Sequence, residues 1–307
     1  MPFDSTQAKP LYVLKSDDVI SRYQHLIDVS PYFEGTDSIA LHEDQHGLMQ
    51  WLPTVLGDSF FYETLSKVVH PYYPIKKTEY DEALQFVSDS GLVLEIGCGE
   101  GHFGAMLPLG QWYGVDINPA AILSATGKGL PCRAWNFITD SVDSLPVAAI
   151  DMICSFQTIE HLLDPSLLFD FAARTLRRGG KLLIGAPAHE SILGIFPLGA
   201  LNIPPHHQTW WTDRALEQFP IQFGFDCKRI HHCEVDAFHK RWFFNQFVSH
   251  AIQERVNSLP LKTRRITMKI ASKLISVFSR LMVDDSTPFD SVFGARGQSV
   301  IALYEKA

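Results

Sequence analysis

Positive charge is what this chain is short of. Its 26 lysines and arginines face 34 aspartates and glutamates, a net charge of −8 with a pI near 5.9. A duplex nucleic-acid binder neutralises phosphates with a basic surface, so this balance argues against nucleic acid as a partner. Long hydrophobic runs are missing too, and nothing reaches the roughly 18 to 20 apolar residues that span a bilayer. The opening residues, MPFDSTQAKP, lack the basic-then-apolar succession of a secretory signal, so a cytoplasmic location is expected. Cysteine is sparse and odd in number. Cys98, Cys132, Cys154, Cys227 and Cys233 are scattered, three of them in or beside apolar strand-like segments, which predicts reduced and mostly buried thiols.

What the chain does have is a core-forming composition, 46% hydrophobic over 307 residues, and one highly patterned stretch. Val93 to Gly104 reads VLEIGCGEGHFG. Val93 to Ile96 has the look of a buried parallel strand, and Gly97, Gly99 and Gly101 at alternate positions stop it. Glycines at such a turn take positive φ and let backbone N–H groups approach a ligand. A helix expected from about His102 would point its positive end at the same place. The stretch is a cradle for a nucleotide-like cofactor.

From Gly91 onward strands and helices alternate. Strands are expected at 93–97, 112–116, 131–135, 149–156, 181–187, 226–235 and 298–306, with helices at about 102–107, 119–126, 165–176 and 212–219. That pattern predicts an α/β, doubly wound, mostly parallel seven-stranded Rossmann-like sheet over 91–238 plus 298–307. Residues 1–90 read as a partly helical substrate or lid extension. It is irregular from Leu11 to about Pro53, then helical from Ser59 to Val87 around a bend at His70-Pro71-Tyr72-Tyr73-Pro74. A helical insertion, 239–297, precedes the last strand.

Within that insertion, Leu261 to Met282 places Ile266, Ile270, Leu274, Val277 and Leu281 on one helical face. Lys262, Arg265, Lys269, Lys273 and Arg280 form a stripe beside it, and no acid occurs from Val256 to Val283. The first reading is an ordinary packed helix with solvated basic flanks; the second is peripheral contact with an anionic membrane surface. The run Leu41-His-Glu-Asp-Gln-His46 reads as a solvated loop, because no third metal ligand follows at a useful spacing. His231, His232 and Cys233 alternate along a strand and cannot converge.

Gly99-Glu-Gly101-His-Phe-Gly104 formally satisfies G-x-G-x-x-G, which keeps an NAD-dependent oxidoreductase in view. Two details oppose it. Glu95 sits inside the strand, where a carboxylate near a diphosphate is unfavourable, and Gly97 already begins the turn, displacing the fingerprint. Both details suit a cationic, phosphate-free cofactor. The pattern E-I-G-C-G-E-G, with Asp116 ending the next strand in Gly114-Val-Asp116-Ile-Asn-Pro119, resembles the class I S-adenosylmethionine-dependent methyltransferases. The likeness runs on through Asp151-Met-Ile-Cys-Ser-Phe-Gln-Thr-Ile-Glu-His161 and Leu176-Arg-Arg-Gly-Gly-Lys-Leu182. More narrowly, the chain resembles bacterial small-molecule methyltransferases with Tyr-Tyr-Pro ahead of the domain and Pro-His-His before the sixth strand, here Tyr72-Tyr73-Pro74 and Pro205-His206-His207. The Cys-x-x-Cys zinc motifs that often open such relatives are absent, since no cysteine precedes Cys98.

The resemblance implies transfer of a methyl group from S-adenosylmethionine to an O, N or C nucleophile of a small-molecule acceptor, a sugar or lipid-linked intermediate among the candidates. S-adenosylhomocysteine would be the product. Asp116 would accept hydrogen bonds from the two ribose hydroxyls. Gly97, Cys98 and Gly99 would lie along the methionyl moiety, and Glu95 would meet its ammonium directly or through water. Ile117 would pack on the adenine face, with Asn136 and Phe137 at its edge and face. Phe156 and Gln157 would line the methyl-donor end, Tyr72 would fold over the ligand, and His161 would add to the lining. Gln157 stands where the E-x-x-E-H pattern of ubiquinone-pathway O-methyltransferases has its first acid, so Glu160 and His161 are read without a metal. His207, or His206, is the candidate general base; the alternative is that the pair caps a helix at Thr212 and packs a lid. A catalytically silent protein that keeps the cradle is the last alternative.

Overall fold

The computed structural model describes residues 9–69, 72, 74–87, 91–141, 145, 150–235, 237–284, 287 and 296–307. Tyr73 of the Tyr-Tyr-Pro bend, and the side chains of Leu261 and Arg265, lie outside what is described.

A seven-stranded sheet organises the chain. Its strands are β4 (Val93–Ile96), β5 (Trp112–Asp116), β6 (Cys132–Ala134), β7 (Met152–Phe156), β8 (Lys181–Pro187), β10 (Phe225–His232) and β11 (Ser299–Lys306). Their order is β10-β11-β8-β7-β4-β5-β6. The pairings from β8 through β6 are parallel, and β11 is antiparallel to both β8 and β10. Every residue of β4 and of β7 is buried, as expected of parallel strands covered on both faces.

The two faces separate by alternation. Leu94, Ile96, Ile153, Leu182 and Ile184 pack with Leu168, Phe169 and Ala172 of α5 (Ser166–Thr175) and with Ala215 and Leu216 of α7 (Asp213–Gln218). Val93, Met152, Cys154 and Leu183 face the other way, against Tyr80 and Ala83 of α3 (Thr78–Leu84), Phe103 and Trp112. α4 (Pro119–Gly127) connects β5 to β6, capped by Asn118, whose side chain accepts from the Ala120 N–H. The same alternation sends His231 to Glu82 and His232 to Asp213.

The N-terminal extension departs from expectation. Instead of an irregular run, β1 (Tyr12–Lys15), β2 (Ser38–Glu43) and β3 (Met49–Leu52) form an antiparallel sheet, with α1 (Ser16–Tyr23) between the first two. Its fourth strand is β9 (Thr209–Trp210), which immediately follows His206, His207 and Gln208. Sheet and helices α1 and α2 (Ser59–Val68) enclose a core of Tyr23, Leu41, Trp51, Phe61 and Trp210. Asp44 closes the β2–β3 hairpin by accepting from the N–H groups of His46 and Leu48, so the acidic, histidine-rich run is a turn.

Two further expectations are corrected. No α-helix begins at His102: the chain makes only a three-residue 3-10 turn, Gly104–Met106, with the Trp112 indole filling the space a Cβ of Gly104 would need. After the short α6 (Ile192–Ile195), the insertion holds α8 (Ala237–Val256) and α9 (Leu261–Met282), which pack on each other. α9 buries Ile275 and Ser279, while Ile266, Ile270, Leu274, Val277 and Leu281, expected to pack, are exposed. Among the described residues no helix is long and apolar enough to cross a membrane.

Candidate functional site

At the carboxyl end of β4 the chain turns through Gly97, Gly99 and Gly101 with φ of +75°, +52° and +75°. Only glycine holds such angles without strain. Gly97 has a second constraint, since a Cβ there would collide with Thr158 Oγ1, just beyond β7. The turn is anchored by the N–H groups of Gly97 and Cys98, both donating to the Val115 carbonyl of the neighbouring strand.

Asp116, the last residue of β5, is fixed on the loop. Its Oδ2 accepts from the Gly99 N–H at 2.8 Å and its Oδ1 from the Asn118 N–H at 2.8 Å. Burial pushes this carboxyl up, and the N–H groups of Asn118, Gly99 and Ile117 oppose that rise. Ile117 beside it is 68% exposed, an apolar side chain held open at the surface. Asn136 closes a local turn, accepting from the Ile138 N–H, and Phe137 is half-buried with its ring edge-on to Phe171.

Three residues expected to touch a ligand have buried side chains packed around the cradle. Glu95 is buried and accepts from the Trp112 indole N–H at 2.8 Å. Cys98 packs with Phe103 and Trp112, and Phe156 with Tyr80 and Phe103. These contacts support the turn. Gln157 adopts φ +52°, a left-handed conformation unusual for a non-glycine residue, and donates from Nε2 to Glu79 Oε2 at 3.0 Å.

The 3-10 turn Ile159–His161 that follows β7 brings the rest of the site together. The Glu160 carbonyl accepts from the Gln208 N–H at 2.8 Å, and the Gln208 carbonyl accepts from the Trp51 N–H of β3 at 3.0 Å. The Gln208 side chain donates to the carbonyls of Val55 and Pro205. The N-terminal sheet thus presses the Pro-His-His segment against the end of β7. One ring nitrogen each of His161, His206 and His207 comes within 4.8 Å of the other two.

Their tautomers follow from their partners. Nδ1 of His161 lies 2.7 Å from the His206 carbonyl, and Nδ1 of His206 lies 2.8 Å from the Leu201 carbonyl. A carbonyl can only accept, so each Nδ1 carries the proton. Nδ1 of His207 lies 3.1 Å from Asn202 Oδ1, an amide oriented by its own Nδ2 donating to the Pro197 carbonyl. Burial pushes all three imidazoles down, His161 to about 4 and the other two well below the usual range. They are neutral, with lone pairs on Nε2. The Tyr72 hydroxyl lies 3.1 Å from His206 Nε2, and Tyr62 reaches His161 Nδ1 at 3.3 Å. The pair therefore does not cap α7; Thr212 does, accepting from the Ala215 N–H.

Sequence reasoning missed Tyr62, Glu79 and Asn202. Each is set by a fold contact with a partner distant in the chain or by a loop conformation, and none falls in a recognisable motif.

Residues 94–184 match the family model described as a methyltransferase domain. A Mycobacterium tuberculosis protein named "Probable S-adenosylmethionine-dependent methyltransferase" is 31% identical over 135 residues, which are 43% of this chain and 48% of that protein. The "Ubiquinone biosynthesis O-methyltransferase" of Idiomarina loihiensis is 28% identical over 42% of this chain and 63% of its own length. The chain thus spans about half to under two thirds of the curated relatives it matches. A crystal structure from Thermotoga maritima, titled a SAM-dependent methyltransferase, is 17% identical, covers 81% of this chain and 97% of that one, and superposes with a TM-score of 0.48.

Glu95 gives this site a pH signature. Burial pushes its carboxyl from 4.5 up to about 8, with the Trp112 indole N–H as the largest opposing influence. The folded state therefore holds the proton more tightly than the unfolded chain, and stability falls as pH rises from about 4.5 to 8. Glu95→Gln is expected to flatten that decline by about 1.4 kcal/mol per pH unit across the window. Urea unfolding at a series of pH values checks it; an unchanged slope would exclude a buried, protonated Glu95.

Proposed function

We propose that this chain, whose residues 94–184 form a class I S-adenosylmethionine-dependent methyltransferase domain, transfers the sulfonium methyl group to an O, N or C nucleophile of a small-molecule acceptor. The observation that carries the reading is the fixed carboxylate of Asp116 at the carboxyl end of β5, beside the glycine turn. Each of its oxygens is oriented by one backbone N–H and retains capacity to accept another bond, the arrangement a ribose diol needs. Open α/β sheets take their ligands at this carboxyl edge, and exposed Ile117 offers an apolar surface for a base next to the diol.

An NAD-dependent oxidoreductase would also use a ribose carboxylate, but its diphosphate rests on a helix N-terminus directly after the turn. Here the turn leads into three residues of 3-10 helix. A catalytically silent protein would have no use for three neutral imidazoles collected beside the end of β7.

The methyl of a sulfonium is already activated, so the protein's work is to hold the nucleophile in line and accommodate its proton. The wall formed by Tyr62, Tyr72, His161, His206 and His207 supplies aromatic surface and acceptor nitrogens for that purpose. His207 is the base in this reading, being neutral and having Nε2 turned towards the Glu160 carboxylate rather than towards a carbonyl. A hydroxylated acceptor such as a sugar or a lipid-linked intermediate suits a wall of this polarity.

Calorimetry with S-adenosylmethionine and S-adenosylhomocysteine tests the cofactor. Both are expected to bind wild type, and Asp116→Ala is expected to weaken them about 10- to 100-fold through lost charge-assisted hydrogen bonds. Unchanged affinity would reject the ribose assignment. A melting temperature raised by NADH and not by the sulfonium would favour the oxidoreductase.

A further inference from the structure

The three histidines adjoin a buried polar group that hydrogen bonding within the described chain does not satisfy. Glu160 is 1% exposed, and neither of its carboxylate oxygens has a hydrogen-bond partner among the described residues. Its Oε1 lies 3.7 Å from His161 Nε2 and 3.9 Å from His207 Nε2. With Nδ1 carrying the proton in each ring, those nitrogens present lone pairs to the carboxylate. Polar groups without partners face one another in a buried place, an arrangement that costs free energy unless a cation sits among them. The separations are too long for a proton to bridge as a hydrogen bond. They are close to the span between ligands that each stand about 2.0 to 2.2 Å from one zinc ion.

We propose that His161, His206 and His207, which each bring one ring nitrogen within 4.8 Å of the other two, bind a divalent transition metal, zinc by preference, with the neighbouring Glu160 carboxyl closing on it as the fourth ligand. The support around the donors is of the kind metal-bound imidazoles use. Each Nδ1–H is held by an oxygen, those of the His206 carbonyl, the Leu201 carbonyl and Asn202, which fixes the tautomer and aims Nε2 inwards. Three imidazoles and one carboxylate match zinc and its neighbours rather than magnesium or calcium, which take oxygen ligands. The Tyr72 hydroxyl, now on His206 Nε2, would be released to the ion's open side. The His161 side chain is 20% exposed, so the site is reached from that edge.

The expectation of no metal rested on Gln157 in place of an acid. That side chain is turned away to Glu79, and the missing donors come from the Pro-His-His segment. Such an ion would polarise an acceptor hydroxyl, and His207, its Nε2 then committed to the ion, would be a ligand in place of the base of the metal-free reading. This use rests on the methyl-transfer reading, whereas the existence of the site does not.

The test is zinc titration of chelator-treated wild type, Glu160→Gln, His207→Ala and Asn202→Ala, with cobalt(II) absorption as a second readout. Wild type is expected to take up one zinc per chain and to give tetrahedral or five-coordinate cobalt bands. Asn202→Ala should bind about 10- to 100-fold more weakly, and the two ligand variants more weakly still. No stoichiometric uptake by wild type, or equal uptake by wild type and Glu160→Gln, overturns the site. S-adenosylmethionine calorimetry on the same samples keeps the two readings apart, because zinc uptake without cofactor binding would sink the methyltransferase and leave the metal site standing.

A second observation stands by itself. Opposite the buried Ile275 and Ser279, α9 presents Ile266, Ile270, Leu274, Val277 and Leu281, which are between 53% and 78% exposed. Lys262, Lys269, Lys273 and Arg280, all exposed, lie about a quarter of a turn to one side. We infer that α9 rests on an anionic bilayer surface. A second copy docked α9 against α9 would cover the apolar face, but from Val256 to Val283 it offers no acid to meet the cations. An anionic bilayer supplies apolar depth and negative charge together.

Co-sedimentation with phosphatidylcholine vesicles, with and without phosphatidylglycerol, tests this. Binding is expected only with the anionic lipid, to be lost on Leu274→Asp, and to fall about 30-fold when Lys269→Gln and Lys273→Gln are combined. Equal binding to both vesicles, no binding to either, or a lipid-free dimer abolished by Leu274→Asp would overturn it.

Discussion

Gln208 ties the molecule together where its chemistry lies. This fully buried residue donates its backbone N–H to Glu160, accepts from Trp51 at its carbonyl, and donates from its side chain to Val55 and Pro205. Buried amides are costly to leave unpaired, so four such bonds on one residue fix three segments against one another. The segments are the N-terminal sheet, the Pro-His-His stretch and the turn after β7. Without that tie the histidines would sit on a loop with no reason to face the sheet. With it, the small sheet becomes a platform that delivers them to the carboxyl edge of the large one.

The cofactor cradle and the histidine cluster are built as neighbours by the same two strands. β4 and β7 run parallel with Ile96 opposite Ser155, so the glycine turn and the Phe156-to-His161 segment leave the sheet side by side. Gly97 touches Thr158 where they pass, with no room for a Cβ. Buried carboxylates lie on both sides of this contact. Glu95, below, is quieted by an indole N–H, while Glu160, above, has imidazole nitrogens of His161 and His207 at 3.7 Å and 3.9 Å. Burial pushes each up to about 8. The lower carboxyl belongs to the packing of the cradle; the upper one has a geometry that asks for a cation.

The centre of the large sheet was legible in the sequence because β4, β7 and the interior of β8 are buried and read as apolar runs; β5 and β8 fall where the pattern puts them. Asp116 was legible for the same reason, as the acid that ends such a run. The small sheet was not. Its strands are two to six residues long, and the last pairs with β3 from about 160 residues away, a contact no local periodicity announces. The helix expected at His102 is a three-residue turn after Gly101 in its left-handed conformation, a tertiary outcome that the local pattern did not announce. Alternation told which residues of β4 and β7 share a face but not what lies over that face, and so the packing of Glu95 on Trp112 and of Phe156 on Tyr80 and Phe103 was not foreseen. The amphipathic pattern of α9 was read correctly as a stripe and wrongly as a buried one. Periodicity identifies an apolar face and is silent on what covers it.

The central claim is that a sulfonium-cofactor cradle and a four-ligand metal pocket adjoin at the carboxyl edge of β4 and β7. The most direct measurement is a crystal structure grown with S-adenosylhomocysteine and zinc, with anomalous data collected across the zinc edge. The account predicts the ribose diol on Asp116, the adenine against Ile117, and one strong anomalous peak bonded to Glu160, His161, His206 and His207 on the sulfur side of the cofactor. A nucleoside bound elsewhere, or an ordered cofactor with no peak among those four residues, would contradict it.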